Sequence, residues 1–595
     1  MTAKSPLQTE IPFETLDPAR IRMESARKQA LDQGRTRLLV TGVLFAMAFI
    51  VLGARLVDLT RHGKDGAPKW QNMAAAKAQA EAPVVARGDV KDRNGHILAT
   101  SLPTQSLYVD SREALRAVDA DYAADKLLRV LPELNREDVL EKITSGGRFQ
   151  WVARNLTPDQ VWEVNKLGLP GFGFRREERR VYPYGPTFAH VLGYTDVDGR
   201  GISGIERTFE GRLGNHGDAV ELSIDMRVQT ILRAELIKAQ DRFAAAGAAG
   251  VVMDVNTGEI IAMASLPDFD PNLPAGSLGD KGFNRVTKGV YEMGSTFKLF
   301  TTAMALDTGT VGLADGYDTA DPIRVSRFTI NDFHAKKRWL SVPEILVYSS
   351  NIGTAKMALD VGAKKQKEYL ARFGLLASSD VELPEVGSPL YPARWGEIST
   401  MTISYGHGIA VSPLQVAAGV SALVNGGVMM PPTLVKHAEG AELIGERVLE
   451  AKTSKIMRGL MRLVVKNGTG RNGDVEGYLV GGKTGSAEKQ VAGGYDENAL
   501  ISSFVGVFPM TAPRYVVLAM VDEPQGQEDT FGYATGGWVA APVVKAVIER
   551  MGPLYGLIPE MDEDGSEDAP DHPLHVPTRA NDKATLRKGV RHAAY

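Results

Sequence analysis

The decapeptide YEMGSTFKLF, residues 291–300, places the hydroxyl of Ser295 and the amine of Lys298 three residues apart at the start of an apolar run. In a helix, this spacing puts both side chains on one face of a single turn. The S-x-x-K pattern occurs three times in the chain, at Ser25–Lys28, Ser295–Lys298 and Ser486–Lys489. Because the pattern alone is also typical of a solvated helix face, the significance of Ser295 depends on the rest of the sequence.

Two further short motifs follow Ser295 in a fixed order. Ser349-Ser350-Asn351 lies in EILVYSSNIGTAKMAL, where one helix gives way to another, and Lys483-Thr484-Gly485-Ser486 ends a predicted strand. Taken singly, the first is typical of a turn or a helix N-cap and the second of a turn after a strand. Agreement of all three in type, order and context is far less probable by chance, and the trio is that of serine β-lactamases and penicillin-binding proteins.

On these motifs the chain resembles the class B penicillin-binding proteins, and most closely their division-specific branch. The resemblance extends from the apolar segment near the N-terminus to about residue 553. Beyond the trio it rests on RGDVKDRNG (87–95), RVYPYG (180–185), HVLGYTDVDGRGISGIE (190–206), SYGHGIAVSPLQ (404–415) and the hairpin at 250–265. One departure is Met293, where the family usually has proline before Gly-Ser; this residue precedes the helix and need not touch the chemistry.

The resemblance implies a serine-type D-Ala-D-Ala transpeptidase in which Ser295 is the nucleophile. A serine hydroxyl needs an adjacent base, and because the motifs contain no histidine, the amine of Lys298 is the candidate general base. A lysine amine is protonated at neutral pH unless its pKa is lowered. We expect burial and the charge of Lys483 to lower the pKa of Lys298.

The same resemblance assigns the remaining motif residues. Ser349 is expected to relay a proton to the leaving amine, and Asn351 to hold the substrate amide and to orient Lys298. Lys483 is expected to supply positive charge for the substrate carboxylate, and Thr484 and Ser486 are expected to contribute hydroxyl donors to the same group. Family geometry implies that the backbone N–H groups of Ser295 and Ser486 form the oxyanion hole, with Gly485 leaving room for substrate along the strand edge.

Composition excludes several other classes of protein. The 595 residues exceed what one core usually organises, so two or more domains are expected. A net charge of −4 provides no basic field for nucleic acid. The absence of cysteine excludes disulfides, thiolate zinc sites and cysteine nucleophiles. The ten histidines include no H-x-x-x-H pair, so we predict no metal and no cofactor.

One apolar segment predicts the topology of the chain. Leu38 to Ala54 reads LLVTGVLFAMAFIVLGA without a charge, at the short end for crossing a bilayer. A cleaved signal peptide and a buried core helix are the alternatives, but a signal segment is usually shorter and ends at a small-x-small site. Basic residues cluster before the segment at Arg20, Arg22, Arg27, Lys28, Arg35 and Arg37. The positive-inside rule then places the N-terminus in the cytoplasm.

The predicted fold class is α+β. The predicted organisation is a cytoplasmic segment (1–37), a transmembrane helix (38–57), an elongated, β-rich, non-catalytic pedestal of the dimerisation type (58–235), a transpeptidase domain (236–555) and a disordered charged tail (556–595). In the transpeptidase domain, we expect an antiparallel five-stranded sheet flanked by helices. Its strands come from both ends of the domain, with a mostly helical stretch inserted between them.

The resemblance also implies partners and a location. The substrates are stem peptides of nascent peptidoglycan that end in D-Ala-D-Ala, and β-lactams are covalent inhibitors because they mimic that unit. An FtsW-type glycosyltransferase and other division-complex proteins are the implied protein partners. The implied location is the bacterial inner membrane, at midcell during division, with the catalytic domain in the periplasm.

Three alternatives remain open from the sequence. An elongation-type transpeptidase of the same class carries the same motifs. A serine β-lactamase also does, but it needs a base for deacylation and has no use for the long N-terminal half. A catalytically silent, β-lactam-binding scaffold is disfavoured because all three motifs are intact.

Overall fold

The computed structural model describes residues 39–55, 86–325, 328–491, 494–560 and 574–576. The chain divides into two compact units, Met1–Val84 and Val85–Tyr595. In the first unit, residues 39–55 form helix α1, whose large apolar side chains are 52–71% exposed. None of the described helices is both long and apolar enough to cross a membrane, so the span predicted at 38–57 is not confirmed. The segment 1–37 lies outside the described residues.

The second unit begins with a lobe, residues 86–225, that has its own sheet and its own core. Its strands are β1 (Val90–Lys91), β2 (Ile97–Val109), β3 (Gln150–Leu156), β4 (Phe172–Val181) and β5 (Val220–Glu221). Its helices are α2 (Ser111–Ala117), α3 (Ala120–Val130), α4 (Arg136–Thr144), α5 (Pro158–Lys166), α6 (Ala189–Leu192) and α7 (Gly204–Thr208). The lobe is therefore α+β rather than β-rich as predicted.

Local sequence explains the helices that make this difference. Helices α2 to α5 each begin at a side chain that caps free backbone N–H groups, namely Asp110, Asp119, Asn135 and Thr157. The apolar faces of these helices pack with β2 and β3 into a separate hydrophobic cluster around Leu127. These caps are visible in the sequence, and they should have raised the predicted helix content of this region.

The main lobe contains most of the remaining elements. Its strands are β6 (Gly247–Asp254), β7 (Ile260–Leu266), β8 (Gly316–Asp318), β9 (Ile323–Val325), β10 (Phe328–Ile330), β11 (Trp339–Ser341), β12 (Val428–Met429), β13 (Glu446–Arg447), β14 (Gly481–Val491), β15 (Gly494–Phe508) and β16 (Tyr515–Asp522). Its helices are α8 (Met226–Arg242), α9 (Phe297–Asp307), α10 (Val342–Val347), α11 (Asn351–Val361), α12 (Ala363–Arg372), α13 (Glu397–Ser404), α14 (Pro413–Val424), α15 (Ala451–Asn467) and α16 (Gly536–Leu554).

The central sheet of the main lobe has the strand order β14-β15-β16-β6-β7, and all neighbours are antiparallel. The α+β prediction, with strands drawn from both ends of the domain, is confirmed. Every residue of β16 is buried because both faces of the sheet are covered. Leu518 faces one hydrophobic cluster and the adjacent Val517 faces the other, as the two-residue period of a strand requires.

A buried charge cluster lies in the N-terminal lobe. Glu206 is fully buried and pairs with Arg87 Nε at 2.6 Å and with Arg180 Nε at 2.7 Å. Nearby, Arg93 reaches Glu259 of the main lobe at 3.2 Å. Two guanidinium groups on one desolvated carboxylate form a structural cluster rather than a catalytic one.

A short part of the predicted tail is packed. Leu574 is 5% exposed and Val576 is 7% exposed, and both belong to the main hydrophobic cluster of the lobe. A Cβ on Gly459 of α15 would lie 2.7 Å from Val576 Cγ2, so the glycine makes room for this segment. The prediction of a disordered tail at 556–595 therefore does not hold for these residues, whereas 561–573 and 577–595 lie outside the described residues.

Candidate active site

Ser295 lies in a 3₁₀ turn, Gly294–Thr296, that leads directly into helix α9. The turn closes on itself because Thr296 Oγ1 donates to the Met293 carbonyl at 2.9 Å. Gly294 has φ +52, and a Cβ there would lie 2.6 Å from the Ser486 carbonyl of β14. Glycine is therefore required at 294 by both backbone conformation and space. Ser295 remains partly accessible between buried neighbours, at the positive end of a helix.

The amine of Lys298 is the centre of a buried hydrogen-bond network. Its side chain is 1% exposed, and Nζ lies 2.8 Å from Ser295 Oγ. The same nitrogen lies 2.8 Å from the Ser349 carbonyl, 3.1 Å from Ser349 Oγ and 2.6 Å from Asn351 Oδ1. Within the described part of the chain, neither Ser295 nor Lys298 hydrogen-bonds to a carboxylate. All four acceptors of this amine are neutral.

This environment favours the neutral form of Lys298. Burial lowers its pKa well below the ordinary lysine value, and the charge of Lys483 lowers the pKa further, against an opposing effect of Asp332. A neutral amine has two N–H groups and one lone pair. The carbonyl oxygens of Ser349 and Asn351 can only accept, so they take the two N–H groups. The lone pair is then free to accept the proton of a serine hydroxyl.

Ser349 connects the two lysines of the site. Its Oγ lies 3.1 Å from Lys298 Nζ and 3.0 Å from Lys483 Nζ. The residue has φ +58, an uncommon conformation for a side chain other than glycine. Strained backbone of this kind persists only where surrounding contacts hold it in place. The turn between α10 and α11 thus brings one hydroxyl between two amines that are far apart in sequence.

Lys483 approaches the site from the edge strand β14. Its side chain is fully buried, and burial lowers its pKa to about 7. Besides Ser349, its Nζ contacts the Thr484 carbonyl at 3.2 Å and Thr484 Oγ1 at 3.4 Å. Among the described strands, β14 pairs with β15 alone. It lies against the turn that carries Ser295, since a Cβ on Gly294 would lie 2.6 Å from the Ser486 carbonyl.

The other residues of the K-T-G-S motif also contact groups outside the two lysines and Ser349. Thr484 Oγ1 lies 2.8 Å from Thr469 Oγ1, and the Ser486 hydroxyl accepts from the Gly536 N–H at 3.0 Å. A Cβ on Gly485 would lie 2.5 Å from the Met293 carbonyl. The missing side chain of Gly485 lets β14 approach the Ser295 turn, and the expectation that this glycine leaves room for substrate stays a prediction.

Two residues near the site carried no motif signal. Asp332 lies between β10 and β11 and contacts the Ser349–Asn351 turn. His407 is half-buried within the SYGHG stretch; desolvation is the main cause that lowers its pKa, and the charge of Lys298 lowers it further. Asp332 is identified only by its tertiary contacts, whereas His407 lies in the SYGHGIAVSPLQ stretch that carries part of the family resemblance. Among the described residues, no cluster of histidine and acidic side chains could hold a metal ion.

Comparison with known families divides the chain in two. The profile described as "Penicillin binding protein transpeptidase domain" matches residues 248–549. The profile described as "Penicillin-binding Protein dimerisation domain" matches residues 83–227. The residues that surround Ser295 all fall within the first match.

Individual proteins resemble this chain over most of its length. A protein of Caulobacter vibrioides named "Probable peptidoglycan D,D-transpeptidase FtsI" is 41% identical over 547 residues, 90% of this chain and 91% of that protein. Peptidoglycan D,D-transpeptidase FtsI of Escherichia coli K12 is 31% identical, over 86% and 90%. The crystal structure of penicillin binding protein 3 from Mycobacterium tuberculosis with aztreonam has a TM-score of 0.64 at 23% identity, covering 83% of this chain and 99% of that one. This last similarity concerns the fold.

Proposed function

This chain belongs to the class B penicillin-binding proteins, and we propose that it is a peptidoglycan D,D-transpeptidase that works through an acyl-enzyme on Ser295. The observation that carries the proposal is the position of Lys298 Nζ, 2.8 Å from Ser295 Oγ, in a buried site that disfavours its charge. A lysine held neutral beside a serine hydroxyl is a base poised for nucleophilic catalysis.

In the first half-reaction, Ser295 Oγ attacks the carbonyl of the penultimate D-Ala, and its proton passes to the lone pair of Lys298. The resulting oxyanion needs donors already in place, and we assign this role to the backbone N–H groups of Ser295 and Ser486. The C–N bond then breaks, and the leaving amine of the terminal D-Ala must receive a proton. Ser349 Oγ, within 3.1 Å of Lys298 Nζ and 3.0 Å of Lys483 Nζ, is the group we assign to this relay.

Substrate binding follows from the charges around β14. We propose that Lys483, in its protonated form, holds the terminal carboxylate together with the hydroxyls of Thr484 and Ser486. Asn351 keeps Lys298 in place through Oδ1, and we propose that it also contacts the substrate amide. In the second half-reaction, the amine of another stem peptide attacks the acyl-enzyme and restores Ser295.

We propose that the site transfers the acyl group to an amine rather than to water. A hydrolase of the class A β-lactamase type uses a glutamate to activate the water that attacks the acyl-enzyme. In the part of the chain that the structure describes, no carboxylate hydrogen-bonds to Ser295 or Lys298. A β-lactam should therefore acylate Ser295 and stay attached, because its leaving group remains tethered to the acyl group.

We further propose that the reaction takes place at the division septum, on the periplasmic side of the inner membrane. The names of the two FtsI relatives support the division role. The exposed apolar side chains of α1 and the basic residues that precede it support an N-terminal membrane anchor. On this proposal, residues 58–235 form the pedestal, residues 236–555 form the transpeptidase domain, and an FtsW-type glycosyltransferase with other division proteins are the partners.

The experiment is acylation of the full chain, purified in detergent, by a fluorescent penicillin, with the intact mass of the adduct recorded. We expect one stable adduct on the wild type and none on Ser295→Ala. Release of D-Ala from a D-Ala-D-Ala peptide tests the natural reaction on the same samples. No adduct on a folded wild type would refute the proposed mechanism, and rapid loss of the adduct would favour a β-lactamase. A fluorescent fusion that follows the side wall instead of midcell would favour the elongation-type alternative.

A further inference from the structure

The middle residue of the Ser349–Asn351 motif is held by a carboxylate outside the three motifs. Ser350 is 1% exposed and caps helix α11, where its Oγ accepts from the Gly353 N–H at 3.0 Å. The same hydroxyl donates to Asp332 Oδ2 at 2.7 Å. The second oxygen, Asp332 Oδ1, accepts from the Ile352 N–H at 3.0 Å. One carboxylate thus binds a side chain and a backbone group at the start of the helix.

The residue before Asp332 holds the third motif position. Asn351 Nδ2 donates to the Asn331 carbonyl at 2.9 Å. This contact orients the amide so that Asn351 Oδ1 points to Lys298 Nζ, at 2.6 Å. Two consecutive residues, Asn331 and Asp332, therefore hold the three residues that directly follow Ser349.

Ser349 needs such a clamp because its backbone is strained. Its φ of +58 is unfavourable for a residue with a Cβ, and an unconstrained turn would relax away from it. That relaxation would move the Ser349 carbonyl and Oγ, which lie 2.8 Å and 3.1 Å from Lys298 Nζ. The position of Lys298 Nζ beside Ser295 Oγ then depends on the contacts that Asn331 and Asp332 make with the residues after Ser349.

We propose that Asp332 is a positioning residue for acylation: it holds the strained Ser349 turn in place and thereby keeps Lys298 aligned with Ser295. The inference rests on the proposed function and names a residue that the three motifs do not include. Asp332 contacts Ser350 and Ile352 rather than the reacting atoms, so it acts through the turn.

A charge effect distinguishes this role from general support of the fold. The charged and titratable groups that act on Lys298 are Lys483 and Asp332, and His407 in turn responds to the charge of Lys298. The carboxylate of Asp332 raises the pKa of Lys298, against burial and Lys483. Replacing the carboxylate by a neutral group should lower that pKa further. Lys298 would then become neutral at a lower pH. The acid limb, which is the part of the pH profile where the acylation rate falls as pH decreases, should therefore move to lower pH.

The test compares Asp332→Asn and Asp332→Ala in the full chain. The second-order rate of acylation by a fluorescent penicillin is measured across pH, at a temperature where circular dichroism shows each variant folded. The asparagine can still accept from the Ile352 N–H, whereas the alanine loses both contacts. The matched control is Asp321→Ala, which removes an exposed aspartate from the same segment of the chain.

We expect the plateau rate of Asp332→Ala to fall about 10- to 100-fold, with a smaller loss for Asp332→Asn and none for the control. Both Asp332 variants should show the shifted acid limb. A folded Asp332→Ala that reacts at the wild-type rate overturns the proposal. The proposal is also overturned if the acylation rate falls only in proportion to the fraction of folded protein and the acid limb does not move. If the alanine variant does not fold, Asp332→Asn serves as the test: an acid limb shifted to lower pH supports the proposal, and an unshifted one overturns it. Failure of the wild type to react would refute the proposed function instead.

Discussion

Substitution of Gly485 by alanine tests how closely strand β14 must approach the nucleophile turn. The added Cβ would lie 2.5 Å from the Met293 carbonyl and 3.0 Å from Thr296 Cγ2, and it would also collide with Ser503 Oγ. Ordinary contact begins near 3.4 Å, so the strand must move away from Met293 by about 0.9 Å. The same strand carries Lys483, whose amine is 3.0 Å from Ser349 Oγ.

A displacement of this size should affect rate more than stability. A misplacement of about 1 Å can cost about 100-fold in rate, whereas overpacking typically costs about 1–3 kcal/mol. We therefore expect the Gly485→Ala protein to fold, with a lower midpoint of thermal unfolding, and to react with a fluorescent penicillin about 10- to 100-fold more slowly. The assay is the time course of adduct formation on the full chain. Gly211→Ala is the control, because no atom lies within 4 Å of a Cβ there.

A second substitution separates the two collisions. Ser503 Oγ has no hydrogen-bond partner among the described residues, so Ser503→Ala removes one obstacle without breaking a contact. In the double variant we expect part of the stability to return, while the rate stays low because the Met293 carbonyl still pushes the strand away. A folded Gly485→Ala protein with the wild-type rate, or a double variant with a fully restored rate, would refute the role assigned to this spacing.

Three further outcomes are expected. Lys298→Met should slow acylation about 100- to 10,000-fold without unfolding the chain, and a wild-type time course would exclude this residue as the base. Because burial lowers the pKa of Lys483 to about 7, kcat/KM for a D-Ala-D-Ala peptide should decline above that pH as the charge is lost; a flat alkaline profile would contradict this role. Glu206→Gln removes the carboxylate that pairs with Arg180, while Arg87 keeps its ion pair with Glu210, so it should lower the free energy of unfolding by about 3–5 kcal/mol in denaturant titrations, with unchanged acylation of the folded protein.

Much of the fold could be predicted from local patterns. The hairpin at 250–265 contains most of β6 and β7, and β6 and β16 consist mainly of small and apolar residues because both faces of the sheet are covered. In the N-terminal lobe, which was predicted to be β-rich as a whole, Asp110, Asp119 and Asn135 signal the starts of three helices. The packing of Leu574 and Val576 could not be predicted, because a few apolar residues in a charged tail do not show which surface they cover.

By itself, the sequence determined which residues are candidates for the reactive groups and in what order they occur, since Ser295, Lys298 and Lys483 lie in short motifs whose spacing is local. Tertiary structure supplies the burial and the approach of Lys483 that lower the pKa of Lys298, because both come from segments far apart in the chain. It also showed that Gly485 serves a backbone contact and that Asp332 supports a strained turn. These roles depend on distances between elements of the fold. Hydrogen bonds weaken within fractions of an ångström and electrostatic effects within a few ångströms, and a sequence motif does not contain such distances.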